Sequence, residues 1–155
     1  MSDPKRELLR HLLATISFRA SVAVGETTES FSAFKLKEDM RTPSEILAHL
    51  GDLLEGSLFL LNGEMRLLNS LPLPWHDEIS RFFAAVQKLD LFLASGTPIA
   101  IPVEKLVQGP IADALTHIGQ INMLRRSAGI PVRSAAYFQT DIVPGEIYFT
   151  APEVK

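Results

Sequence analysis

Asp113 and His117 break the apolar pattern of a segment that otherwise reads as a helix with one core-facing side. They stand four residues apart, and that spacing stacks two side chains one turn apart on the same helix face. A carboxylate and a neutral imidazole so arranged can chelate one divalent ion, as paired histidines at that spacing do. On a wheel of about 100° per residue, Leu106, Pro110, Ala114, Ile121 and Leu124 fall within about 60° of one direction. Asp113 and His117 fall in the middle of that arc, with Gln120 at its edge. A carboxylate facing the core is costly without a partner. Three partners meet the need: His117 itself, a basic group from another helix, or a metal ion.

One helix supplies two ligands, so a third must come from elsewhere. His49 sits at the margin of the apolar arc of an earlier helix, beside the small Gly56. Two histidines and one carboxylate with open coordination positions would suit Zn, Ni, Mn or Fe. A plain Asp–His hydrogen bond satisfies the same burial demand without any ion. The remaining polar candidates read as structural. His11 lies at the margin of the first helix and reads as a surface residue. His76 follows Trp75 and reads as a locally hydrogen-bonded or solvated ring. Trp75 reads as an anchor that packs its connection against the body of the protein. Glu45, Asp52 and Glu55 are expected to tilt toward solvent, and no general base stands out beyond the ligands.

The elements that must position these residues are four amphipathic helices. Asp3 and Pro4 open the first, expected over 4–23, with Leu8, Leu9, Leu12, Leu13, Ile16 and Ala20 as its stripe. A mixed polar segment, 31–41, reads as a long crossover. Thr42-Pro43-Ser44-Glu45 is a capping box with proline at the first helical position, and Asn62-Gly63 is the expected stop, unless 65–68 continue the helix. Two prolines in 70–74 demand a connection. A third helix starts near Trp75 and presents Ile79, Phe82, Phe83, Val86, Leu89 and Leu93 before Ser95-Gly96-Thr97-Pro98 ends it. The fourth is expected over about 104–128, kinked by Pro110 or starting there, and capped by Gly129 before Pro131. Residues 130–155 show no helical period. A short extended pair is expected there, Ile142-Val143 against Ile147-Tyr148-Phe149 across Pro144-Gly145. Four amphipathic helices with long connections predict a single all-α domain, a four-helix bundle over 1–155 with an irregular tail.

Composition narrows the function classes. With 155 residues, 46% apolar and 21% charged, the chain can bury a core. The formal net charge of -3 offers no basic face for nucleic acid. Arg125 and Arg126 read as macrodipole partners and solubilising groups at a helix end. Cysteine is absent, which excludes disulfides, thiolate ligands and a cysteine nucleophile. The polar N-terminus does not read as a signal peptide, and the longest mostly apolar stretch, 53–61, contains Glu55 and is too short for a bilayer. A soluble cytoplasmic protein is the expectation.

Thr42-Pro43-Ser44-Glu45-Ile46-Leu47-Ala48-His49-Leu50 resembles the start of the second helix in DinB/YfiT-like proteins, where a histidine ligand follows a similar capped opening. Leu115-Thr116-His117-Ile118-Gly119-Gln120-Ile121, followed by Leu124-Arg125-Arg126, resembles the last-helix signature of that family. The resemblance extends over about residues 5–130. It implies an up-down-down-up four-helix bundle, homodimers, and a metal held by three histidines, one on the second helix and two on the last. His49 and His117 match two of those positions, and Asp113 stands where many members have the third histidine. The implied activities are metal-dependent hydrolysis and thiol-dependent transfer or isomerisation of small molecules. Gln120, one turn beyond His117, is read from its spacing as a residue that orients a ligand or contacts substrate. The competing reading is a non-catalytic dimeric binding or scaffold bundle in which Asp113 and His117 form only a polar pair. Direct action on DNA, suggested by the family's name alone, is disfavoured by the charge balance.

Overall fold

The computed structural model describes residues 3–150, and within them the regular structure is helical, with no strand. Helix α1 spans Pro4–Val24; Asp3 caps it by accepting from the Lys5 N–H at 2.9 Å. A single turn, α2 (Glu29–Ser32), interrupts the crossover. Helix α3 spans Pro43–Leu61 behind a complete capping box. Glu45 N–H donates to Thr42 Oγ1 at 3.2 Å, and Thr42 N–H donates to Glu45 Oε2 at 2.7 Å. Helix α4 spans Trp75–Ala94. A short α5 (Val103–Leu106) runs through a π turn, Val107–Ile111, into α6 (Ala112–Ser127). Gly129, at φ +75, and Ile130 close α6 with paired bonds to the Arg126 and Arg125 carbonyls at 3.1 and 2.9 Å. That pattern is a Schellman cap, and the left-handed position needs glycine.

The π turn corrects the expected phase of the last helix. Pro110 has no N–H to donate, and the Ala112 N–H reaches back five residues to the Val107 carbonyl. One extra residue is thereby absorbed. Ile111 takes the core position, and Pro110 is only partly buried. Leu106, Ala114, Ile121 and Leu124 are buried as expected.

One apolar cluster unites the long helices, through residues such as Leu13, Ile16, Leu47, Leu50, Phe82, Val86, Ile118 and Ile121. Helix α3 packs on α4, α4 on α1, α1 on α6, and α6 on α3. Polar ties mark the seams. Arg10 Nε donates to Asp90 at 2.9 Å, Lys5 pairs with Glu104 at 2.7 Å, and the Ala100 N–H donates to the Leu61 carbonyl at 2.9 Å. Trp75 is the anchor its position suggested. It is fully buried, its indole N–H donates to Thr27 Oγ1 at 2.8 Å, and its backbone N–H donates to Glu29 Oε2 at 2.9 Å.

The expected stop at Asn62-Gly63 holds, and two further expectations change. Helix α3 stops at Leu61, and Met65 and Leu67 stand in solvent rather than continuing it. Leu8 is exposed, at the edge of the α1 stripe. The extended pair in the tail does not form among the described residues. The turn at Pro144–Gly145 is present, but the flanking residues dock on the helices: Tyr148 N–H donates to Ser17 Oγ at 3.1 Å, Tyr148 meets Phe18 edge-on, and Phe149 meets Phe83. Two short strands bury little on their own, whereas the helical face offers aromatic partners. Residues 151–155 of the expected tail lie outside the described residues.

Arg125 also departs from expectation, and Arg126 does not. Arg126 is exposed. Arg125 is 5% exposed and caps a different helix: its Nη1 donates to the carbonyls of Val22, Ala23 and Gly25 at 2.9–3.0 Å. These are carbonyls at the end of α1, where a cation is favoured by the helix dipole. Burial pushes the guanidinium pKa down and the charge of Glu26 opposes it. Arg125→Met leaves those buried carbonyls without a donor and is expected to lower unfolding free energy by about 2–4 kcal/mol in urea denaturation. Unchanged stability would show that water replaces the guanidinium without loss.

Candidate metal centre

His49 lies in the second turn of α3, directly after the capping box, and points across the seam toward α6. Asp113 and His117 lie on the first turns of α6, after the π turn has set their phase. The structure brings all three expected residues together. One potential ligand atom from each lies within 4.8 Å of the other two. His49 Nε2 is 3.3 Å from Asp113 Oδ2, and His117 Nδ1 is 3.1 Å from Asp113 Oδ1. The imidazole ring centres of His49 and His117 are 4.8 Å apart. His117 Nδ1 also lies 2.9 Å from the Asp113 backbone carbonyl. In the tautomer that donates this bond, Nε2 carries the free lone pair. A backbone carbonyl commonly fixes a ligating histidine in this way.

Burial differs from the sequence argument. The His117 side chain is 14% exposed, His49 32% and Asp113 40%. Within α6 the buried face runs through Ala114, Ile118, Ile121 and Leu124, which leaves Asp113 at the rim of the seam rather than its centre, so the carboxylate is partly hydrated. Its demand for a buried partner is correspondingly weaker than the wheel implied. The accessible edge suits coordination positions that face solvent. The donor set, two imidazoles and one carboxylate, is that of an open divalent site. The residues present therefore fit an ion, with His49, Asp113 and His117 as its holders. Gln120 is exposed one turn beyond His117, and no contact to the three groups involves it.

Next to Asp113 the seam opens into a groove of about 530 Å³ lined by Leu53, Gln108, Gly109, Pro110, Ala112, Asp113 and Thr116. The Thr116 hydroxyl donates to the Asp113 carbonyl at 2.8 Å. Leu53 is one turn past His49 on α3, and Gln108 to Pro110 belong to the π turn. Expected surface residues behave as such: His11 and His76 are exposed.

A polar network where α3 faces α4 escaped the sequence reading. Asp52 is buried, not turned to solvent. Arg81 pairs with Asp52, with Glu55 at 2.9 Å and with Glu78 at 3.2 Å, while Ser70 donates to Asp52 from both N–H and Oγ at 2.7 Å. Glu78 in turn accepts the Leu73 N–H at 2.8 Å. The network ties α3 to α4 and pins the 62–74 connection. Gly51 makes room for it: a Cβ there would stand 3.2 Å from the Arg81 guanidinium. The signals available in sequence were the carboxylates three apart at Asp52 and Glu55 and the Glu78–Arg81 pair, but only packing joins the two helices.

Burial raises the Asp52 pKa, but the Ser70 backbone N–H, the Arg81 guanidinium and the Ser70 hydroxyl outweigh it and hold the carboxyl below the usual aspartate range. A folded value lower than the unfolded one stabilises the protein above the ordinary titration range, near pH about 3.9. That contribution vanishes as pH falls through the folded value. Urea midpoints measured from about pH 6 down to about pH 3 should therefore fall more steeply for the natural chain than for Asp52→Asn. Parallel profiles would remove Asp52 from this role. For the three-residue centre, His49→Ala or Asp113→Ala should each weaken binding of Zn or Ni by more than the roughly 10–100-fold typical of losing an outer partner. Competition against a chromophoric chelator measures this. Comparison of the chain with family models, with curated proteins and with solved structures yields no match in any of the three.

Proposed function

We propose that this chain is a divalent-metal-binding protein of the DinB/YfiT-like kind, acting on a small molecule as a metal-dependent hydrolase or thiol-dependent transferase. The observation that carries the reading is convergence: ligand atoms from residues 64 apart in sequence gather within 4.8 Å. Helix directions support the up-down-down-up bundle that the resemblance implies. Arg10 on α1 meets Asp90 near the end of α4, so those helices run oppositely. Lys5 meets Glu104, and Arg125 meets the end of α1, so α1 and the α5–α6 segment run together. His49 faces Asp113 while Leu53 shares a groove with Gln108, so α3 and α6 run oppositely.

When bound, a divalent ion would lower the pKa of a coordinated water or thiol and polarise a substrate. The residues of this chain contribute the rest. His117 is held by the Asp113 carbonyl, His49 by its place in a capped helix, and the rim position of Asp113 leaves the open side reachable by a small ligand. No helix of the described residues is long and apolar enough to cross a membrane.

One observation favours a second reading. The His49 contact with the Asp113 carboxylate at 3.3 Å and the His117 contact with the Asp113 backbone carbonyl at 2.9 Å give each side chain a partner without an ion. In that case the protein is a non-catalytic binding or scaffold bundle. A thermal scan with Zn, Ni and Mn on protein purified without a histidine tag separates the two. A ligand that binds only the folded state at 100 times its Kd stabilises by about 2.7 kcal/mol. The metal reading expects one ion to raise Tm by several degrees and His117→Ala to abolish the rise. Three flat scans, or full metal stoichiometry retained in His117→Ala, would defeat it.

A further inference from the structure

We infer that the groove beside Asp113 is the binding site for the uncharged, apolar body of a ligand whose polar head coordinates the ion. This rests on the metal reading above. The groove adjoins the centre on its most exposed ligand, Asp113, so a molecule seated there can present a donor atom to the open coordination positions. Its lining contains no lysine, arginine or histidine, and Asp113 is its sole charged group. A phosphate or carboxylate tail would find no countercharge there, and a cationic tail would have to compete with the ion for Asp113. Leu53, Pro110 and Ala112 offer hydrocarbon, and the Gln108 amide supplies one neutral polar group at the rim. The Thr116 hydroxyl hydrogen is committed to the Asp113 carbonyl, which leaves its oxygen only as an acceptor and its methyl as a wall. The groove, of about 530 Å³, is shallow and open to solvent, and offers a ring one apolar face to lie against rather than an enclosed pocket.

The π turn shapes this surface. Gly109 belongs to that turn and lines the groove, and a Cβ there would meet nothing within 4 Å. A side chain at 109 can therefore add bulk beside the groove without displacing the fold or the ligands. The ligand class that fits is a neutral or singly anionic oxygen or sulfur donor carrying an apolar group, with no charge on its far end.

Calorimetry on Zn- or Ni-loaded protein tests this with two probes that share a head group, acetohydroxamate and benzohydroxamate. Burial of the ring is expected to make benzohydroxamate bind at least about tenfold more tightly. Gly109→Leu should reduce that preference to about twofold or less, while metal affinity and acetohydroxamate affinity stay unchanged. Ala112→Leu, which adds bulk to the groove from α6, should do the same and guards against a Gly109 variant that fails to fold. Loaded protein that binds both probes equally, or a preference that survives both substitutions, overturns the groove assignment alone. Protein that takes up no metal overturns the metal reading and this assignment with it.

Discussion

The seam between α3 and α6 has to close around three polar side chains, and none of them can be packed as hydrocarbon. His49, Asp113 and His117 meet there at 3.1–3.3 Å, flanked by leucines and isoleucines that fill the shared core. A second polar set, the buried Asp52 and Glu78 with the mostly buried Arg81, lies where α3 meets α4. Whether hydrogen bonds alone or an ion joins His49, Asp113 and His117, their contacts favour one register of α6 against α3.

Other parts of the molecule hold that register. The Arg81 network locks α4 to α3 and ties down the connection between them, while Arg125 fastens the end of α6 to the end of α1. Both are arginines, Arg125 buried and Arg81 mostly so, whose several donors are used on partners from different elements. A planar guanidinium with five donors can do this where a lysine could not. The tail adds a third restraint through Tyr148 on Ser17 and Phe18. The candidate centre is thus carried on helices that are each fixed by at least one polar contact remote from it.

The π turn at Val107–Ile111 has two consequences from one cause. Proline at 110 deprives the helix of one donor, and the turn widens to compensate. The phase of everything before Ala112 shifts relative to α6. Pro110 therefore no longer marks the buried face of α6, and the widened turn forms one wall of the adjoining groove. A kink was legible from Gly109-Pro110. Its kind was not, because an ideal wheel carries a single period through the whole segment.

Local chemistry made much of this protein readable from its sequence: the Asp3 and Thr42–Glu45 caps, the Gly129 stop, the apolar stripes and the four-residue spacing of Asp113 and His117. Each of these depends on neighbours within a turn or two, so the residue types alone determine them. His49 was reachable only as a marginal position, and its union with α6 is a tertiary fact. The burial of Asp52, the capping of α1 by Arg125 and the docking of Tyr148 on α1 and Phe149 on α4 were likewise decided by packing. In each case the partner lies far along the chain, and the energy of the contact exists only after the helices have excluded water from between them.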